Sequence, residues 1–436
     1  MSFLRRVVAA TMAVLLLCAG TAAADATRPE DVLRNWYRLT LELVRHTPTY
    51  SPPVASRALA YLGVTAFEAI ASGSDDLVSL AGQLNGLSKL PVREAGAGYD
   101  EAVVLQAALA TSARSFFSNT GPTGQRALAA MEKSLRSKVA TGLPPEIVAR
   151  SEDFGRAIAE HVLVWSAPDG GAVVENMGFP YEYQPVAHPA HWVPTSLIRQ
   201  QQAPLLPAWG GNRTLAMPDG AACPLPAPPA YSEDKGSDFY KEALEVYDTV
   251  NALTDEQRAI ARFWSDDPML SPTPPGHWIA IANQALDREG AGLERTVEVL
   301  ARLGIVLSDS FVACWNAKYE YDLLRPVTYI RRLIDPKWEP ILITPPFPEY
   351  PSGHSTQSAA AAEVLTDLFG DGFAFDDTTH EDDGLPARSF PNFRAAAAEA
   401  GISRLYGGIH FRAAIERGLD QGLCVAGHVN ALKTRR

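Results

Sequence analysis

The sequence predicts an all-α fold with little or no sheet, arranged as two bundle-like helical halves. Apolar residues recur at spacings of three and four through a dozen segments, as in Val32-Leu33, Trp36-Tyr37 and Leu43-Val44, which is the period of a helix burying one face. Strand-like alternation is scarce. The chain has 436 residues, 47% of them hydrophobic, enough to close a large core.

The elements follow in order. Residues 1–24 open with Arg5-Arg6, continue through an apolar stretch and end in Ala22-Ala23-Ala24 before Asp25. That is the pattern of a secretory signal peptide, so cleavage near Ala24 and a secreted or periplasmic protein are expected. The apolar stretch is short for a bilayer span and no later run is longer, so stable membrane insertion is not expected. Helices are predicted at 29–46, 53–73, 98–117, 122–139 and 145–167, making an N-terminal half over 25–167. Residues 168–234 are rich in Pro, Gly and aromatics and form a long irregular connection, the kind of loop that wraps a surface or serves function. A C-terminal half over 235–436 holds helices at 235–250, 254–266, 277–288, 290–318, 355–369, 389–405 and 411–432. The acidic stretch 371–388, with Asp376-Asp377 and Glu381-Asp382-Asp383, reads as solvated surface.

The net charge is −12. Removing residues 1–24 takes away two arginines and no acid, leaving 36 basic against 50 acidic residues and a charge of −14. Such a balance argues against nucleic acid and anionic membranes as partners. Cys223, Cys314 and Cys424 remain, an odd number, so at least one is unpaired; spacing does not say which. No Cys/His spacing marks a zinc site, and a buried thiol is the simplest reading of each.

Chemistry concentrates in three pieces of the C-terminal half. Lys318 is followed seven residues later by Arg325-Pro326, which on a continuous helix would put both cations on one face. Ser352-Gly353-His354 opens an alanine-rich helix that Ser355 or Thr356 can cap, and a helix N-terminus favours an anion. Ser403-Arg404 precedes Gly407-Gly408, which break the helix ahead of His410. Each piece alone reads blandly, as a solvated stripe, a cap and a satisfied histidine. Together they supply one lysine, two arginines, a hydroxyl, a glycine N–H and two histidines, a donor set for a tetrahedral oxyanion with a nucleophile and an acid/base beside it.

The motifs K-x6-R-P, P-S-G-H and S-R-x5-H resemble those shared by vanadium-dependent haloperoxidases, type 2 phosphatidic acid phosphatases and bacterial acid phosphatases. The upstream Phe263-Trp264 and Thr273-Pro274-Pro275 resemble the haloperoxidase branch. The resemblance implies helical bundles of the haloperoxidase type and vanadate as cofactor, with phosphate able to occupy the same site. It implies that His410 bonds to the vanadium or attacks phosphorus, and that Lys318, Arg325 and Arg404 bind equatorial oxygens. Ser352 and the Gly353 N–H add hydrogen bonds, and His354 is the acid/base. Hydrogen peroxide, a halide and a small organic substrate are the implied partners, with Lys318 polarising the peroxide. Trp315 and Phe347 resemble aromatic positions on the halide side of fungal-type chloroperoxidases, though core packing explains them as well. Helical enzymes of this resemblance are often homodimers, and no residue here decides it.

One departure bears on the alternative, a secreted acid phosphatase working through a phosphohistidine. The phosphatase form continues H-x3-D, and here Ala414 stands in place of the aspartate. The carboxylate that orients the site is then sought at Asp266 or Asp267, with Glu416 or a backbone carbonyl as substitutes; Asp266 or Asp267 resembles an acidic position that pairs with an active-site arginine. The remaining histidines, His277 and His380 among them, read as packing. The pair His188-x-x-His191 reads as loop packing that can cover the pocket.

Overall fold

The computed structural model describes residues 27–174, 183–196, 203–267 and 269–436; the expected signal peptide lies outside them. Thirteen α-helices and one two-stranded sheet make up the regular structure of the described residues. The first five helices are α1 (Pro29–Arg45), α2 (Pro52–Ala71), α3 (Glu101–Phe116), α4 (Gly121–Val139) and α5 (Pro145–Ser166). After the irregular connection come α6 (Asp238–Asn251), α7 (Asp255–Phe263), α8 (Thr273–Glu289), α9 (Leu293–Tyr321) and α10 (Pro326–Leu333). The chain closes with α11 (Gly353–Phe369), α12 (Phe393–Tyr406) and α13 (Arg412–Asn430).

Local chemistry explains most boundaries and several departures from expectation. Thr254 and Gln257 form a capping box that starts α7. Helix α8 begins four residues earlier than expected because Pro274-Pro275 sit in its first turn, where a missing N–H is harmless. Lys318 and Arg325 do not share a helix: α9 stops at Tyr321, Asp322 takes a left-handed conformation (φ 44°), and Arg325 precedes the unexpected α10, whose first residue is Pro326. The stretch 371–388 is not simply solvated surface. Strand β1 (Phe375–Asp377) pairs antiparallel with β2 (Arg388–Phe390), and this hairpin buries Asp377 completely. The last part of the expected helix at 389–405 survives as α12, capped by Asn392.

Helix α9 is the beam of the molecule. It is buried from Val297 to Trp315 and packs against α2 through glycines. A Cβ on Gly63 would lie 2.7 Å from Leu300 O, and one on Gly304 would lie 2.9 Å from Ala60 Cα. One core cluster draws residues from both halves; a smaller one joins α6, α10 and the loops around the C-terminal motifs. Among the described residues α2 alone is long and apolar enough to cross a membrane, and it is a core helix here.

The connection is tied down rather than loose. The buried Asp309 carboxylate accepts the backbone N–H groups of Leu215, Ala216 and Met217 at 2.6, 2.8 and 2.9 Å. Trp192 donates its backbone N–H to Asp322 O. Cys223 and Cys424 form a disulfide that fastens the connection to α13, and among the described residues Cys314 is a buried free thiol.

Helix α11 lies against α13 at glycine contacts, which bring the backbones together. A Cβ on Gly422 would meet Thr356 O at 2.3 Å and Ala359 Cβ at 2.7 Å. Gly422→Val is therefore expected to force the helices apart at a cost of about 1–3 kcal/mol. A lowered thermal midpoint with the variant still folded at room temperature is the outcome to measure; an unchanged midpoint would show that the contact is not tight.

Candidate active site

Four segments meet between α9, α11 and α13. The end of α9 supplies Trp315 and Lys318. The turn before α11 supplies Phe347, Glu349 and Ser352 to His354. Arg325 comes from the start of α10, and the end of α12 supplies Arg404, with His410 following the turn at Gly408 (φ 78°). Lys318, Arg325, Arg404 and His410 are all buried.

Lys318 Nζ donates to the carbonyls of Pro348, Glu349 and Pro351 at 2.8, 2.9 and 2.5 Å. Burial pulls its pKa down to about 7, and the three donated hydrogens are those of the ammonium form that prevails below that pH. Arg325 gives Nε to Phe347 O at 2.9 Å and Nη1 to Ile409 O at 2.9 Å. Its Nη2 is buried and has no partner. Arg404 gives Nη1 to Trp264 O at 2.6 Å, and its Nε is likewise buried without a partner. Burial lowers both guanidinium groups to about 10, so both stay charged at neutral pH.

His410 Nδ1 lies 2.8 Å from Glu349 Oε1, and Phe411 N donates to the same oxygen at 2.8 Å. Oε1 already accepts the Phe411 N–H, so it acts as an acceptor toward His410 as well, and Nδ1 carries the proton. The Nε2 lone pair then faces Arg325 Nη1 at 3.1 Å. Burial and the three surrounding cations hold the His410 pKa well below the usual value, which keeps that lone pair free. Burial raises Glu349 to about 8 against the pull of Arg325 and Lys318.

Ser352, not Ser355 or Thr356, caps α11: its Oγ accepts Ser355 N at 3.3 Å. The Gly353 N–H therefore belongs to the first turn, whose donors the helix leaves free. His354 follows, with Nε2 3.5 Å from Asp266 Oδ2; burial and Arg404 lower its pKa to about 4. Behind Asp266 stand two further histidines. His277 Nδ1 is 3.0 Å from Asp266 Oδ1, and His277 Nε2 is 2.8 Å from Asp377 Oδ2. His380 Nε2 is 3.5 Å from Asp266 Oδ1.

Trp315 and Phe347 pack in a tilted pair, with centroids 4.9 Å apart and ring planes at 49°. Lys318 Nζ lies 5.1 Å from the Phe347 centroid and 5.9 Å from that of Trp315, and Arg325 lies 5.0 Å over Phe347. These rings form one wall beside the cations.

The structure thus gathers the five charged or imidazole groups that the sequence marked, and corrects the orienting carboxylate. Glu349 holds His410, whereas Asp266 faces His354. Asp266 and Asp267 both act electrostatically on Arg404. Glu416 is more than half exposed and reaches only Arg412, at 4.0 Å. The sequence reading missed Glu349, although a lone acid inside Pro346-Phe347-Pro348-Glu349-Tyr350-Pro351 was the available signal. His277 and His380, read as packing, sit on the carboxylate that serves His354. The His188 and His191 rings lie tilted against each other within the connection, with centroids 4.9 Å apart, and His191 approaches Asp322 at 3.6 Å.

Comparison with known proteins bears on the fold and the family. Residues 298–337 and 332–435 match the family model described as the VCPO second helical-bundle domain. The chain is similar to the crystal structure of a bacterial vanadium-dependent iodoperoxidase, with 37% identity, a TM-score of 0.85, and coverage of 93% of this chain and 97% of that one. It also shares its fold with the holo form of a bacterial vanadium-dependent chloroperoxidase (18% identity, TM-score 0.67, 88% and 93% covered) and with an apo form (17%, 0.67, 88% and 95%). No curated protein gives a significant match.

The charges set a pH dependence for anion binding. Loss of a proton from Lys318, near pH 7, removes a positive charge, and ionisation of Glu349, near pH 8, adds a negative one. Both changes weaken an anion's hold as pH rises. Phosphate affinity, measured by calorimetry, is expected to fall across this range, and Glu349→Gln is expected to remove the upper step. Affinity independent of pH in the natural protein would contradict the assignment.

Proposed function

Because the chain belongs to the vanadium-dependent haloperoxidase family, we propose that this site holds vanadate and uses hydrogen peroxide to oxidise a halide to hypohalous acid, which halogenates small organic compounds. The observation that carries the reading is the His410 Nε2 lone pair, fixed by Glu349 and ringed by cations. The residues fit the group. Arg325 Nη2 and Arg404 Nε are buried donors awaiting acceptors, and leaving such donors unpaired costs about 1–3 kcal/mol each.

When bound, vanadate supplies a Lewis-acid centre that activates peroxide. The chain's residues do the rest. His410 Nε2 is the ligand. Arg325 and Arg404 bind and neutralise oxyanion oxygens, with the Ser352 hydroxyl and the Gly353 N–H as further donors. Lys318 adds its positive charge at the aromatic wall. His354, neutral at rest, takes and returns protons. Trp315 and Phe347 exclude water on one side, which strengthens every charge interaction there and favours a weakly hydrated halide.

Glu349 also favours a second capacity. It gives His410 the orientation that the phosphatase pattern assigns to an aspartate, so phosphomonoester hydrolysis belongs in the same test. The vanadate-loaded chain is mixed with peroxide and iodide, the halide named for the relative with 37% identity, or with bromide, and a halogenation dye is followed; p-nitrophenyl phosphate is assayed in parallel. Dye turnover is expected, with a loss of about a hundredfold or more in His410→Ala. Retained turnover in that variant refutes the ligand assignment, and phosphate ester hydrolysis without dye turnover favours the phosphatase.

Export belongs to the same reading. The basic, apolar and small-residue order of residues 1–24 supports it, as does the Cys223–Cys424 disulfide, a bond that persists in oxidising compartments. Mass analysis of protein secreted from a bacterial host is expected to give a chain starting at Asp25; retention in the cytoplasm with Met1–Ala24 intact would count against it.

A further inference from the structure

Asp266 is the meeting point of three imidazoles. His354 lies on Oδ2 at 3.5 Å, and His277 and His380 lie on Oδ1 at 3.0 and 3.5 Å. Asp266 is buried and takes a left-handed backbone conformation (φ 49°), so the fold holds a strained residue there to place this carboxylate. The two histidines behind it differ. Both nitrogens of His277 face carboxylate oxygens, Asp266 Oδ1 and Asp377 Oδ2. Carboxylates only accept, so His277 is a doubly protonated clamp. Asp377 is itself fixed by the backbone N–H and hydroxyl of Thr379, at 3.0 and 2.6 Å. The flanking carboxylates raise His277 to about 10 against the effect of burial, in line with that geometry.

His380 is not clamped. Its Nδ1 meets Asp383 Oδ2 at 3.1 Å, whereas its Nε2 is buried without a hydrogen-bond partner, 3.5 Å from Asp266. The Asp383 side chain is 18% exposed and ion-paired with Arg45. Solvent, Asp383, His380, Asp266 and His354 therefore form an alternating series of carboxylates and imidazoles, running from the surface to the acid/base residue. On the far side, the His354 ring keeps 14% of its surface open although its Nε2 is buried.

We propose that Asp383 and His380 are the proton inlet of the active site, feeding His354 through Asp266, while His277 and Asp377 hold Asp266 in line. The inference rests on the haloperoxidase reading, whose reaction consumes a proton: hydrogen peroxide, halide and one H⁺ give hypohalous acid and water. The O–O bond breaks, an O–X bond forms, the halide gives up two electrons to the peroxide oxygens, and the proton leaves in the water. In each delivery a proton taken up from solvent at Asp383 passes to His380 Nδ1, the resulting imidazolium releases its Nε2 proton to the Asp266 carboxylate, and the protonated Asp266 passes that proton to His354 Nε2 and is a carboxylate again. The other charged groups facing this path are Arg404 and Asp267 beside Asp266 and Arg45 beside Asp383. The Phe263 ring packs edge-on against His380, with centroids 5.2 Å apart, which keeps water from short-circuiting the step.

The test compares the vanadate-loaded full chain with His380→Gln and Asp383→Asn. Both variants are expected to lose kcat increasingly as pH rises and protons become scarce, by about tenfold at about pH 8, with KM for peroxide and halide held and with phosphate affinity of the vanadate-free chain unchanged. A second readout needs no turnover: ¹⁵N NMR of the vanadate-free protein is expected to show two N–H groups on His277 and one on His380. Natural kcat at every pH in both variants would overturn the inlet. So would a pH-independent loss accompanied by weakened phosphate binding, which marks a structural role, or stoichiometric zinc uptake by Asp266, His277 and His380. If the natural chain oxidises no halide, the functional reading fails instead, and the NMR signals still report whether the network exists.

Discussion

The 2.8 Å contact between His410 Nδ1 and Glu349 Oε1 is the constraint from which the site follows. It settles the tautomer, and with it the direction of the Nε2 lone pair. It also joins the three separated motifs. Lys318 grips the carbonyl of the same Glu349, Phe411 N donates to its carboxylate, and Arg325 reaches both sides, through Phe347 O and Ile409 O. A buried carboxylate is stable only if neighbours compensate its charge. Here the compensating cations are the ones that bind an oxyanion, so the arrangement that keeps Glu349 in place also shapes the pocket.

Such a cluster needs a rigid surround, because charges held out of water must not find an easier arrangement. Helix α9 provides it by packing along α2 at one end and delivering Trp315 and Lys318 at the other. The long connection contributes from outside: Asp309 holds it by three N–H groups, Leu205 O accepts the Trp315 indole N–H, and the disulfide fastens it to α13. Burial raises the Asp309 pKa to about 6 although those N–H groups pull it down. The size of the chain relative to its few working residues is thus a consequence of desolvation.

The helical fold was legible because a period of 3.6 survives in sequence wherever one face is buried, and ten of the twelve expected helices begin within about three residues of where they form. The misses have local causes. Asp322 ends α9 by adopting a left-handed turn, which asparagine and aspartate do more readily than other residues, and a short helix behind Pro326 carries too few residues to show a period. The hairpin at 375–390 was hidden by its acidic composition, since a buried Asp377 looks like a solvated one until His277 is known to face it. Among site residues, those with unusual spacing (Lys318, Arg325, Arg404, His354 and His410) were legible. Glu349 reaches His410 across 61 positions of sequence and Asp377 reaches His277 across 100, and no pattern encodes such a pairing.

The two site histidines show how surroundings divide one chemistry into two roles. Each sits beside a buried carboxylate, and each is neutral because burial and nearby cations outweigh that carboxylate. What lies behind the carboxylate separates them. Behind Glu349 stand a backbone N–H and a lysine with all three hydrogens engaged, groups that fix a proton in place, so His410 is suited to keep one lone pair pointed one way. Behind Asp266 stand two more imidazoles, one clamped between two carboxylates and the other leading toward solvent. Permanence at one histidine and exchange at the other are what a bound oxyanion and a proton-consuming reaction respectively require.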